Sequence, residues 1–226
     1  MPASFDLYVE PPNGNEDYLV PMFSTPLLHL KVDGWEEKKQ KLLSMYHKRQ
    51  AQKDKFKIAC GKEESHDVET DYHYNYDNDI DYGDIIAKLF REELETLCDT
   101  FECAVEVSTA WFEKAKRGKQ HTVHNHGVDG FSAVCFIEFD PKYHTPTVFM
   151  NPNVADDQIT NFIPPGIREG SLIFFPSWCL HYTAPNTSDV DRVILSFNMA
   201  ADYGAICFED ENGAEAEFGE YVTNDV

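Results

Sequence analysis

The chain has 226 residues, of which 42% are hydrophobic and 13% aromatic, with 19 Lys and Arg set against 40 Asp and Glu for a formal charge of −21. That apolar content is enough to bury a sizeable core and argues against a disordered polymer. Phosphate backbones and anionic membranes are repelled by such a charge, so the composition speaks against nucleic-acid and membrane partners.

The opening MPASFDLYVEPPNG lacks a basic region followed by an apolar core, so it does not read as a signal peptide. No apolar stretch approaches the roughly 20 residues that a membrane span needs. Six cysteines (Cys60, Cys98, Cys103, Cys135, Cys179, Cys207) are scattered without CxxC pairs. Cys98, Cys135 and Cys179 sit in apolar runs as small hydrophobes, and a disulfide framework is not expected. A reduced, cytoplasmic protein is the expectation.

No internal repeat or low-complexity linker divides the chain, so residues 1–226 are read as a single domain. Residues 20–101 supply helical support, about 103–200 the core, and 205–226 an acidic tail. LVPMFSTPLLHLKV (19–32) reads as an early strand interrupted by prolines, and WEEKKQKLLSMYHKRQ (35–50) as a helix. The acidic-aromatic YHYNYDNDIDYGD (72–84) reads as a loop. In DIIAKLFREELETLCDTF (84–101), Ile86, Leu89, Phe90, Leu94, Leu97 and Phe101 recur at three- and four-residue intervals. That spacing predicts one amphipathic helix with Asp84 as N-cap.

From residue 103 the period changes to two. AVEVSTAWFEKA, QHTVHNH, FSAVCFIEFD, TPTVFM, EGSLIFFPSW and RVILSFNMA are short β-rich segments separated by Gly, Pro, Asn and Asp. Helices first and strands afterwards predict a mainly β protein with flanking helices (α+β), a sandwich or small barrel.

The segment with chemistry in it is HTVHNHGVDGFSAVCFIEFD (121–140). On an extended strand His124 and His126 share one face, about 7 Å apart at the backbone, and His121 points the other way. One divalent metal can bridge such a pair, with a third ligand from another strand. GSLIFFPSWCLHYTAPN (170–186) offers it in His181. Eleven residues on, Arg192 begins RVILSFN, sharing a face with Ile194, Ser196 and Asn198. An Arg in a core-like strand is costly unless an anion meets it, and a carboxylate held bidentately is the natural one.

In this order and spacing, HNHG…FSAVCFIEFD, EGSLIFFPSWCLHYTAPN and DRVILSFN resemble the Fe(II)/2-oxoglutarate-dependent dioxygenases. The nearer likeness is to a prolyl-hydroxylase-like branch found in marine bacteria and tailed phages. The resemblance covers about residues 105–200 and extends weakly to FSTPLLHLKV. It implies a double-stranded β-helix (a cupin-like jelly roll), Fe(II) and 2-oxoglutarate as cofactors, and release of succinate and CO2 as a substrate is hydroxylated.

Carried onto this chain, the resemblance makes His124 the first iron ligand and His181 the distal one. Arg192 would bind the far carboxylate of 2-oxoglutarate, with Ser196 assisting. Most of the superfamily has Asp or Glu two residues after the first His, completing a two-His-one-carboxylate triad. Here that position is His126. A three-histidine site is the first reading, and Asp129 is the alternative carboxylate if the GVDG turn folds back.

Plainer readings stand beside these. Asp77, Asp79 and Asp81 alternate as in a calcium loop, but Tyr82 and Lys88 stand where an EF-hand needs Gly and Glu, so a solvated loop is expected. KAKRGK (114–119) reads as a hairpin tip, Trp178 and Phe175 as core, His121 as a supporting or exposed residue, and Trp111 and Gln120 as strand residues near the pocket mouth. Two further functions remain open: a cupin-type three-histidine dioxygenase without a keto acid, and a non-catalytic jelly-roll module. The primary substrate, whether amino acid, peptide or small metabolite, is not readable, and a homodimer is only the base-rate expectation for jelly-roll edges.

Overall fold

A computed structural model describes residues 25–60, 68–72, 75, 82–151 and 161–203, with side chains of the first segment described to residue 52. The calcium-like aspartates and the acidic tail of the sequence reading lie outside these residues.

Strand β1 (Leu28–Lys31) leads to helix α1 (Trp35–Cys60), and the short β2 (Glu69–Thr70) precedes helices α2 (Gly83–Leu89) and α3 (Arg91–Phe101). The strands β3 (Ala104–Ala115), β4 (His121–His124), β5 (Phe131–Glu138), β6 (Thr147–Met150), β7 (Asn161–Phe162), β8 (Ser171–Pro176), β9 (His181–Thr183) and β10 (Arg192–Asp202) follow. They form a six-stranded sheet of order β1-β8-β5-β10-β3-β2 and a four-stranded sheet of order β4-β9-β6-β7, with every pairing antiparallel.

At β5 and β8 the larger sheet is buried on both faces, which is why these two strands read as continuous apolar runs. Alternation sorts their side chains. Cys135, Leu172, Phe174, Leu195 and Phe197 pack with helix residues Leu42, Ile86, Phe90 and Leu97. Val134, Phe136, Ile173, Phe175 and Ile194 form a second core with Phe149 of β6 and Cys179. Phe197 is fully buried, its ring stacked 5.9 Å from Phe90 and edge-on to Phe174. Phe197→Ala removes the keystone of the helix-side core, with an expected cost of about 3–5 kcal/mol. A fall in Tm of roughly 10 °C or more in a calorimetric scan checks this.

Three expectations are corrected. The segment read as one helix over 84–101 is two, because the backbone leaves helical geometry at Phe90 (φ −110°, ψ 27°) as that ring docks on the sheet. Tyr82, not Asp84, occupies the N-cap of α2 and makes no side-chain cap; Asp84 lies in the first turn. KAKRGK (114–119) is not a hairpin tip: Lys114 and Ala115 end β3, and since β3 and β4 belong to different sheets the residues that follow cross between them. That crossing is held by Gly118 N donating to Asn186 O and Asn186 N donating to Lys119 O.

Candidate metal centre

β4 carries the first histidines onto the smaller sheet. His124 is paired with His181 of β9 and His121 with Thr183, and the register slips between the two pairs. The slip changes the geometry that alternation alone predicts. His121 and His124 lie on the same side, their rings stacked 4.0 Å apart at 21°, instead of on opposite faces. His126 lies beyond the end of β4, where its backbone N–H donates to Ser177 O at 2.9 Å.

Gly130 then turns the chain into β5 with φ +73°; a Cβ there would sit 2.0 Å from Met199 O, so only glycine permits this approach to β10. The turn settles where Asp129 goes: it is exposed, and its charge is felt by Tyr203.

The structure brings His124, His126 and His181 together, with one ligand nitrogen from each lying within 4.8 Å of the others. Among the described residues this is the one group of three or more His, Cys, Asp or Glu so placed, and Asp129 does not belong to it. The Nδ1–H groups of His124 and His181 donate to Thr122 O (2.7 Å) and Cys179 O (2.9 Å), which leaves each Nε2 as a lone pair. His126 Nε2 stands 3.3 Å from His181 Nε2. Two nitrogens each about 2.1 Å from one ion at a right angle lie about 3 Å apart, so this spacing fits adjacent ligands of a single metal.

Burial, reinforced by the charge of His124, lowers the pKa of His126 to about 4 and of His181 to about 3. Both rings are therefore neutral near pH 7, the form a metal requires.

Arg192 stands on the same inner face of the larger sheet and is 3% exposed. Its Nη1 donates to Thr145 O at 3.0 Å, while Nε and Nη2 are buried without a hydrogen-bond partner. Burial lowers its pKa to about 10, so it is still a cation at neutral pH. A buried guanidinium with two unmet donors is costly, and a carboxylate is a group whose two oxygens match such donors. Ser196 is also buried, two strand steps along the same face.

Glu113 escaped the sequence reading. It sits on the inner face of β3, opposite Ile194, and is 4% exposed. Its Oε1 accepts from Trp111 Nε1 (2.9 Å) and its Oε2 from His121 Nδ1 (3.2 Å). Burial alone would raise its pKa, but the hydrogen bond and charge of His121, with help from Trp111 and Arg192, draw it down to about 2. The signal that exposed Arg192, a charge on the buried face of a core strand, was also present in AWFEKA.

Trp111 is buried with its ring 5.4 Å from that of His126, and so lines the site. Phe175 is core as expected. Trp178 is not: it is 42% exposed and borders a cavity of about 260 Å³ with Leu27, Phe149, Phe175, Cys179 and Leu180. The rings of Phe149 and Phe175 also lie 5.9 Å and 4.9 Å, centre to centre, from the His181 ring.

Residues 109–198 match the family described as "Putative 2OG-Fe(II) oxygenase", a segment that contains all three histidines, Arg192 and Ser196. No curated protein sequence matches the chain. Among solved structures, the non-heme alpha-ketoglutarate-dependent epimerase SnoN from nogalamycin biosynthesis is similar over 85% of this chain and 87% of its own, at 11% identity and a TM-score of 0.56. The alpha-ketoglutarate-dependent carbocyclase SnoK from the same biosynthesis is similar over 86% and 90%, at 11% identity and a TM-score of 0.52. These likenesses establish the two-sheet architecture as the double-stranded β-helix. The family match over residues 109–198, the shared fold and the histidine cluster all agree with an Fe(II)- and 2-oxoglutarate-dependent oxygenase, and residues 109–198 are the part of the chain that is similar to that family.

Proposed function

We propose that the chain hydroxylates a C–H bond of its primary substrate, holding Fe(II) on the Nε2 atoms of His124, His126 and His181 and the far carboxylate of 2-oxoglutarate on Arg192. The observation that carries this reading is the pair of unmet donors on buried Arg192, eleven residues after His181. When bound, Fe(II) and 2-oxoglutarate supply the oxidising power: O2, 2-oxoglutarate and R–H become R–OH, succinate and CO2.

The chain's own residues bind, orient and exclude water. Arg192 fixes the cosubstrate by two parallel charge-assisted bonds, with Ser196 as a further donor on the same face. The carbonyls of Thr122 and Cys179 fix the ring orientation of two ligand histidines. Trp111, Phe149 and Phe175 form dry walls around them. The cavity bordered by Phe149 and Phe175, with Trp178 and Leu180 at its rim, offers an apolar surface near the site, where part of the primary substrate would rest.

The same reading takes residues 1–226 as one oxygenase domain in a reducing cytoplasm. Cys98, Cys103, Cys135 and Cys179 are free thiols, and burial pushes the Cys179 thiol up to about 12, which suits inert packing over redox work. The motif set supports a place in the branch of marine bacteria and tailed phages. Among the described residues no helix is long and apolar enough to cross a membrane.

The deciding experiment is oxygen-dependent succinate formation from 2-oxoglutarate by the Fe(II)-loaded protein. Succinate production is the expected result. Iron bound without succinate would move the reading to a three-histidine dioxygenase that needs no keto acid, and absence of both would leave a jelly-roll scaffold.

A further inference from the structure

Three neutral imidazoles bring no negative charge to a dication, and among the described residues no carboxylate joins their cluster. One buried carboxylate nevertheless reaches two of them at one ring's remove. Glu113 spends one oxygen on the indole N–H of Trp111 and the other on Nδ1 of His121. The Trp111 ring lies 5.4 Å from His126, and the His121 ring is stacked 4.0 Å from His124. A single side chain thus pins the two aromatic groups that back two of the three ligand histidines. It belongs to a strand of the larger sheet, whereas His124 is on the smaller one, so the clamp also ties the sheets together across the site.

We infer that Glu113 is the positioning residue of the metal centre: it holds Trp111 and His121 against His126 and His124. The inference rests on the reading of these histidines as metal ligands. Glu113 donates nothing to the metal itself. It acts through the two rings that it holds.

The test uses Co(II), whose visible spectrum reports ligand geometry, titrated anaerobically into the full chain. Glu113→Gln keeps an acceptor for Trp111 and removes the charge; Trp111→Phe keeps a ring beside His126 and removes the tether. The expected result is a fall in Co(II) affinity of about ten- to a hundredfold in Glu113→Gln with an altered ligand-field spectrum. A smaller fall is expected in Trp111→Phe, and Glu113→Asp, which keeps the charge on a shorter arm, should recover part of the affinity. If Glu113→Gln does not fold, Trp111→Phe and a His121→Phe variant test the same clamp one arm at a time. Affinities within twofold of wild type and an unchanged spectrum would overturn the inference. Failure of the wild-type protein to bind Co(II) would instead strike the three-histidine reading on which it rests.

Discussion

His181→Ala is expected to abolish Fe(II) binding and succinate formation together. His181 is the most buried of the three ligand candidates, at 4% exposure, and its Nε2 is the one that approaches His126. Loss of a group that merely supports a ligand costs about ten- to a hundredfold in metal affinity, so loss of a ligand should exceed the upper end of that range. The imidazole also packs against the touching rings of Phe149 and Phe175, so its removal lowers the stability of the metal-free chain as well. Metal loss is therefore read separately, as disappearance of the Fe(II)-induced rise in Tm under anaerobic conditions. A variant that still gained stability from Fe(II) at wild-type concentrations would remove His181 from the ligand set.

The second large effect is expected at Arg192, and it has two opposite parts. Arg192→Met replaces a buried cation having two unmet donors by an apolar side chain of similar length. Relief of the cation's desolvation cost opposes the loss of its bond to Thr145 O and of its attraction to Glu113, so the metal-free variant should stay close to wild type. Its response to 2-oxoglutarate should vanish. At a hundred times Kd, the cosubstrate stabilises the wild-type protein by about 2.7 kcal/mol, or about 5–10 °C in Tm at this chain length. Truncating one side of a buried charge pair costs about 2–5 kcal/mol, which weakens 2-oxoglutarate by about 1.5 to 3.5 orders of magnitude. Thermal scans with and without 2-oxoglutarate measure both parts. A variant destabilised without ligand, yet still shifted by it, would show that Arg192 is a structural cation and not the carboxylate anchor.

The two effects meet on one surface. Register places Arg192 opposite Ala115, Ile194 opposite Glu113 and Ser196 opposite Trp111. Glu113 is influenced by the charges of both Arg192 and His121. The inner face of β3 is thus as much a part of the site as β4 and β9 are.

Much of this was legible in the chain by itself. FSAVCFIE and SLIFFP are apolar throughout because both faces of their sheet are covered, and RVILSFN displays a charge and a serine on one alternating face. Periodicity of this kind is a local property, written in every second residue, so strands β3, β5, β6, β8 and β10 and the order of His124, His126, His181 and Arg192 can be read without coordinates. What local pattern could not supply is which strand lies beside which. Only the pairing of β4 with β9 sets His124 against His181 across 57 positions of sequence, and only the register slip in β4 brings His121 onto His124. Glu113 was visible as a letter but had no meaning until β10 lay beside β3 and His121 came across from the other sheet. Register and sheet crossing are decided by burial of the whole molecule at once, since a slip of one residue would turn every side chain of a strand to the wrong face. The sequence therefore determined the donor types and their order. The tertiary structure decided that three histidines, and not Asp129, share one point, and that a buried carboxylate stands behind them.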